Sequence, residues 1–545
     1  MDRLFADMLE QNTPKVNPAV MNGLACTMLP EAERYLDQVF KGASKSFPPG
    51  LEYAGYARCT PEEEFNEVTR VRNGKRTFDI ATSNLYLMKY MFRYKGEDLP
   101  PRYLYLPYVL DGGIIHLGGS RFHISPILKD PVISPAKESV FVGLLRDKFT
   151  FKRTYHAIKI NGHTKPVHVV WSTIYRNNVT NNKVPATTKA VTCAVHYLLG
   201  KYGLRAMFSK FCGFEPVVGS SNLINSTDYP PDQWVIFSST QRQPPSFIGG
   251  FYQGSDVVMA VPVERMSTYV ETLMAGVYYV IDNFPDRIDH KWVDNTNRWM
   301  VLLGHAIFSG KYSEPKLYES VNEHFRSLDN CLDQIVIEKL NETGYHADDF
   351  YELLALITQH YDEWTIGAHK NNTNVFGKTM EILYYVLYDV TSAIFNFGYK
   401  LSKRAQKKEL SAKEITDIAN KSLNMGIIYS LTRQSTCLST VAYSGDHKYP
   451  KITSVVALQK NSGSKKGRHS RSVINESDHL HVSAVEAGSV LFIPKSNPRP
   501  QVRANMFLNV DLSTGKVLPK PKFKALREKT MSDVLGYPYI ETDVI

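Results

Sequence analysis

Residues 111–125 read DGGIIHLGGSRFHIS and place Gly112, Gly113, Gly118 and Gly119 around a short apolar core. Glycine at this density serves one of two purposes, a loop that cradles phosphate or a tight turn of the backbone. A phosphate loop needs G-x-x-x-x-G-K-S/T or G-x-G-x-x-G; neither is present, and no lysine follows the glycines. As backbone, Gly113 to Leu117 and Arg121 to Ser125 form two strands joined at Gly118-Gly119, where glycine supplies the positive φ that a tight hairpin requires. The stretch is therefore a structural hairpin, and it sets the reading of its neighbours as β-rich.

Working outward, YLYLPYVL, SVFVGLL, FTFKRTYHAIKI and PVHVVWSTIY carry strand signals between Tyr103 and Arg176, with a turn at Asn161-Gly162. Upstream, FNEVTRVRNGKRTFDI places Asn73-Gly74 between two segments of strand-like composition. Downstream, AVTCAVHYLLGKYG has the length of a helix, and QWVIFSS and SDVVMAVPV return to strands. Past Arg265 the apolar period lengthens towards 3.6, and a helical block follows. Ser411 and Glu414 form a capping-box pattern that starts a helix running to about Tyr429. Beyond it the chain is loop-rich, with short strands in SVLFIP and MFLNVDL. The fold class is α+β and multi-domain, divided at 1–155, 156–299, 300–422 and 423–545.

A chain of 545 residues that is 43% hydrophobic buries several cores. MDRLFADMLEQN lacks a basic segment followed by an apolar one, so it does not read as a secretory signal. EILYYVLYDVTSAIFNFGY, Glu381 to Tyr399, contains Asp389 and Asn396 and reads as a buried helix with no role in a membrane. The six cysteines, at 26, 59, 193, 212, 331 and 437, are scattered, which fits reduced thiols and gives neither a zinc site nor a disulfide framework. The charge is concentrated. Residues 400–529 hold 24 Lys and Arg against 9 Asp and Glu, a net of +15, which leaves the other 415 residues at −5. Such a region attracts a polyanion, nucleic acid above all, through release of condensed counterions.

Arg433, Lys448, Lys451, Lys465, Lys466, Arg468, Arg471, His479 and Arg503 recur here through Gly- and Ser-containing loops suited to reaching phosphates. Only Tyr443 and Tyr449 lie near for stacking, which favours readout by shape and charge. Asp286, Asp289 and His290 include metal-ligand types, as do Asp348-Asp349 and His479-Leu-His481, yet none has a further cluster at metal-site spacing. No G-x-S-x-G or H-E-x-x-H occurs, so no catalytic or metal-binding residue is assigned.

Three segments, in order, resemble the second-largest (β) subunit of multisubunit DNA-directed RNA polymerases. They are Leu106–Ser125; Asp286-Arg-Ile-Asp289-His290 with Asn295, Asn297, Arg298 and Gly304; and Leu438-Ser439-Thr440 through Arg471 to Asp478-His479, which is similar to the fork region. The carboxyl half of a β chain and the Asp-Phe-Asp-Gly-Asp magnesium loop of the largest subunit are absent. The resemblance therefore implies the amino-terminal half of a split β subunit of giant-bacteriophage type. It implies protrusion-like, lobe-like and fork-like parts that wall the DNA cleft and hold template DNA and the RNA–DNA hybrid. It also implies partner subunits, a C-terminal β-like chain and β′-like chains, the latter carrying Mg2+. The location implied is the host cytoplasm, a phage replication compartment or the virion. The alternative reading is a stand-alone viral nucleic-acid-binding or virion structural protein with a basic carboxyl region.

Overall fold

The computed structural model describes residues 23–72, 83–174, 192–240, 255–367 and 374–433, apart from 111, 125, 137, 146, 285, 286, 309–311 and 377, plus short segments at 176–177, 188–189, 438–440, 455–457, 483, 501–503, 508–519 and a few positions to 538. The chain is mixed α+β and divides into two compact units. The first comprises Met1–Pro131, Asp333–Ile335 and Thr373–Ile545, and the second Val132–Leu332 and Val336–Asn372. The expected boundary at 155/156 falls inside one continuous strand, Lys148–Ile160, because Asn161-Gly162 turns the chain straight back into the same sheet.

In the first unit Leu85–Tyr94 lies between Leu51–Arg58 on one side and Glu97–Asp98 and Arg102–Pro107 on the other, all antiparallel. The helices Ala32–Ser44 and Tyr388–Ala405 pack together over it. Phe40 meets Tyr53 and Tyr90 at ring distances of 5.1 and 4.5 Å, and Phe397 meets Phe47 and Phe92 at 5.6 and 5.7 Å. Phe40, Tyr90, Phe92 and Phe397 are buried here, and removing apolar surface from water is the dominant favourable term in folding. Gly398 permits the close packing, since a Cβ there would lie 2.8 Å from Ser46 Oγ.

The hairpin read from DGGIIHLGGSRFHIS is present. Ile114–Leu117 pairs antiparallel with Ser120–Ile124, with Leu117 opposite Ser120. Gly118 and Gly119 turn it at φ +56° and +78°, both positive as a two-residue type I′ connection requires. Gly112 and Gly113 make a second turn, in which the Gly113 N–H donates to Leu110 O at 3.1 Å.

The second unit is built on an eight-stranded sheet whose main path runs Thr192–Cys193, His163–Ser172, Lys148–Ile160, Trp234–Ser239, Val257–Pro262, Val217–Ser220. Thr268–Asn283 packs on it, and Ala194–Tyr202 packs on that helix and on Thr296–Ile307 and Phe350–Gly367. Gly276 brings two helices together, because a Cβ there would lie 2.5 Å from Val195 Cγ2.

Three local readings change. The segment preceding Asn73 is a helix, Pro61–Arg72, and no strand. Thr60 Oγ1 accepts from Glu63 N at 3.3 Å, Glu63 Oε2 accepts from Thr60 N at 2.9 Å, and Pro61 and three glutamates occupy the first turn. That start signal overrides the β-branched composition that follows. The helix begun at Ser411, whose capping box is formed, ends at Ser422, where Asn424 Oδ1 accepts from Gly426 N at 3.0 Å and turns the chain into a 3-10 segment, Ile427–Arg433. The window Glu381–Tyr399 is broken rather than continuous: a strand ends at Glu381, a short helix covers Leu383–Val386, and a long one starts at Tyr388. Asn73-Gly74 lies outside the described residues. Among the described residues no helix is long and apolar enough to cross a membrane.

Candidate nucleic-acid interface

The base of the basic region is tied to the opening hairpin. Leu438–Thr440 pairs antiparallel with Phe122–Ile124 as a third strand. Val455–Ala457 pairs with Gln501–Arg503 and reaches Ile127 of the strand Ile127–Lys129, whose other edge pairs with Thr379–Glu381. The segments 441–454 and 458–500, which hold most of the candidate cations, are thus bracketed by strands anchored on residues 120–129. Those strands are held by backbone hydrogen bonds.

Of the cations proposed from sequence, Arg433 ends the 3-10 segment and Arg503 ends the strand Gln501–Arg503, pairing with Val455. Lys448, Lys451, Lys465, Lys466, Arg468, Arg471 and His479 lie outside the described residues, as does Asp286. Beneath the hairpin His123 is buried, and burial pushes its pKa down to about 4, so it contributes no charge at neutral pH.

The second motif, from Asp289 to Arg298, is brought together as a folding device. Asp289 Oδ1 accepts from Lys291 N at 3.4 Å and pairs with His290 Nδ1 at 2.6 Å. Asn295 Oδ1 caps the helix Thr296–Ile307 by accepting from the N–H groups of Asn297 and Arg298 at 3.1 and 3.3 Å. The Arg298 guanidinium lies 3.1 Å from the centre of the half-exposed Trp292 ring and donates to Arg287 O at 3.4 Å. Trp299 Nε1 donates to Val293 O at 2.7 Å, and Asp294 Oδ1 accepts from Arg205 N at 2.9 Å. Asp289, Asp294, Asn295 and Arg298 thus each have a local structural task. Asp348 and Asp349 serve similarly: Asp349 Oδ1 accepts from Glu352 N at 2.7 Å at the start of Phe350–Gly367.

Two arrangements escape the sequence. Arg58 is held between the rings of Tyr86 and Tyr108, at 4.4 and 5.2 Å, and hydrogen-bonds the Tyr108 hydroxyl. Asp282, buried on Thr268–Asn283, accepts from Ser239 Oγ and pairs with His156 Nε2 at 2.8 Å. Those are the residue types of a nucleophilic triad in the wrong order: the carboxylate stands between serine and histidine, and Ser239 is fully buried. Only the sheet and helix register brings these groups together, since 126 residues separate His156 from Asp282. Among the described residues no three His, Cys, Asp or Glu side chains gather to hold a metal ion, and the cysteines at 26, 59, 193, 212 and 331 are thiols outside any disulfide.

A protein-family model described as "Non-virion RNA polymerase subunit" matches residues 3–531. No curated protein matches the chain.

Proposed function

The chain belongs to the non-virion RNA polymerase subunit family, and on that premise we propose that it serves a viral multisubunit DNA-directed RNA polymerase as a non-catalytic subunit holding nucleic acid, in the place of the amino-terminal half of a β chain. Membership makes other polymerase subunits its partners. The finer assignment is supported by the order of the three β-like segments. The first unit then supplies the protrusion-like and fork-like parts and the second the lobe-like part. The basic loops rooted on the Ser120–Lys129 strands contact template DNA and the RNA–DNA hybrid by charge. Partner chains are a C-terminal β-like chain and β′-like chains, and the latter hold the catalytic Mg2+ that stabilises the attacking and leaving oxygens of nucleotidyl transfer. No metal step is assigned to this chain. The complex works in the host cytoplasm or a phage replication compartment.

The observation that carries this reading is the family match across residues 3–531. Affinity purification of the tagged chain from infected cells tests it. The expected result is co-purification of further polymerase chains with DNA-templated RNA synthesis; recovery of a lone chain, or of one held in the virion coat, overturns it.

A further inference from the structure

Thr268–Asn283 covers one face of the hairpin Lys148–Ile160/His163–Ser172 in the second unit; on the other face Phe149 and Phe151 are buried, Phe149 against Phe350, and the part around Tyr155 is exposed. Between Lys148 and Ser172 the sequence holds five Lys and Arg, three His and no acid. Strand alternation divides these residues. His156 and Trp171 lie on the face under the helix Thr268–Asn283, His156 against Asp282 and Trp171 against Tyr279. Arg153, Tyr155 and Lys159 lie on the other, paired across the hairpin with Val170, His168 and Thr164. There Tyr155 packs against His168 at a ring distance of 4.3 Å, the rings tilted by 52°, and still leaves 61% of its surface exposed. Arg153, partly exposed, donates to Asp362 at 2.8 Å.

The strand edge beside this pair is also interrupted. Ser139–Gly143 pairs with residues 148–152 and Trp234–Ser239 with 158–160, so among the described residues 153–157 have a neighbouring strand on the His163–Ser172 side alone. At the far end the same face is closed by a small core of Ile224, Val258 and Ala260 with Trp234 and Ile236. An exposed aromatic ring thus stands beside Lys159 on this face, with Asp362 paired to Arg153 and 3.8 Å from His168 Nδ1.

We propose that the exposed part of this face binds single-stranded nucleic acid, with a base stacked on Tyr155 and an adjacent phosphate held by Lys159. A largely exposed ring needs an unstacked base, which a duplex does not offer, and stacking tolerates any sequence because every base has a π-face. The inference rests on the polymerase reading for its choice of polyanion, and either a displaced DNA strand or the transcript fits the chemistry.

The test uses the full chain with labelled oligothymidylate and oligouridylate of about a dozen nucleotides, with binding and photo-crosslinking measured in parallel. Tyr155→Ala is expected to weaken binding about five-fold or more and to abolish the crosslink within residues 148–172, whereas Tyr155→Phe keeps both. Lys159→Glu lowers the slope of log affinity against log salt by about 0.7, the share of one single-strand phosphate. Tighter binding of one oligonucleotide assigns the strand as DNA or RNA. Unchanged binding by Tyr155→Ala with crosslinks elsewhere overturns the proposal, as does crosslinking of this face to a partner subunit in place of the oligonucleotide. Loss of co-purification with the Tyr155 crosslink retained removes the polymerase reading alone; co-purification with no crosslink there removes this one alone.

Discussion

At the scale of single residues, glycines and buried histidines carry the sharpest consequences. Gly118 and Gly203 both have positive φ, +56° and +79°, but a Cβ on Gly118 meets nothing within 4 Å, whereas one on Gly203 would lie 2.8 Å from Asp294 O. Gly118→Ala is expected to cost about 1 kcal/mol of backbone strain. Gly203→Ala should cost clearly more, read as a larger drop in the urea midpoint; equal losses would contradict the close approach. Burial pushes His123, His196 and His324 down to about 4. Between there and the ordinary value near 6.5 the unfolded chain binds protons that the folded chain refuses. Their stabilisation is therefore complete above about pH 6.5 and is lost as pH falls towards 4, by roughly 2 kcal/mol per histidine at pH 5. Urea titrations at neutral and mildly acid pH check this, and His324→Leu should flatten the decline.

At the scale of elements, start signals decide more than composition does. The Thr60–Glu63 box turned a strand-like stretch into a helix, and the Ser411–Glu414 box was legible because its two residue types have a fixed spacing. Asn295 is the cap most exposed to test. Asn295→Ala removes both acceptor interactions at the start of Thr296–Ile307 and should cost about 1 kcal/mol, with Asn295→Asp or Asn295→Ser recovering most of it. An unchanged thermal midpoint for Asn295→Ala would return the Asp289–Arg298 run to a role outside folding. Strands formed where strand signals were read, in YLYLPYVL, FTFKRTYHAIKI and PVHVVWSTIY, and Asn161-Gly162 turned as its dipeptide requires, with φ +48° and +82°.

At the scale of the whole molecule, charge separates tasks. A net of +15 in residues 400–529 against −5 elsewhere concentrates the positive charge in one region, whose described strands Leu438–Thr440 and Val455–Ala457 pair with Phe122–Ile124 and Ile127. Charge reversal at Lys465, Lys466 and Arg468 should weaken template retention and reduce the slope of log affinity against log salt by about 0.9 for each duplex phosphate no longer neutralised. Thermal unfolding should be unchanged, because the flanking strands are held by backbone pairings. An unaltered slope would reassign these loops to the binding of another subunit.

The sequence by itself determined the α+β class, the hairpin at Gly118-Gly119, the capping box at Ser411–Glu414 and the location of the basic charge. Each depends on residues within a few positions of one another, where φ preference, side-chain reach and charge act directly. Tertiary structure alone decided that Leu438–Thr440 joins the strand Ser120–Ile124, that Asp282 meets His156, and that Tyr155 is exposed while His156 beside it is covered. Those pairings join residues scores to hundreds of positions apart. No local pattern encodes which distant strand will fill an unpaired edge or which face a helix will cover; burial of apolar surface across the whole unit selects them.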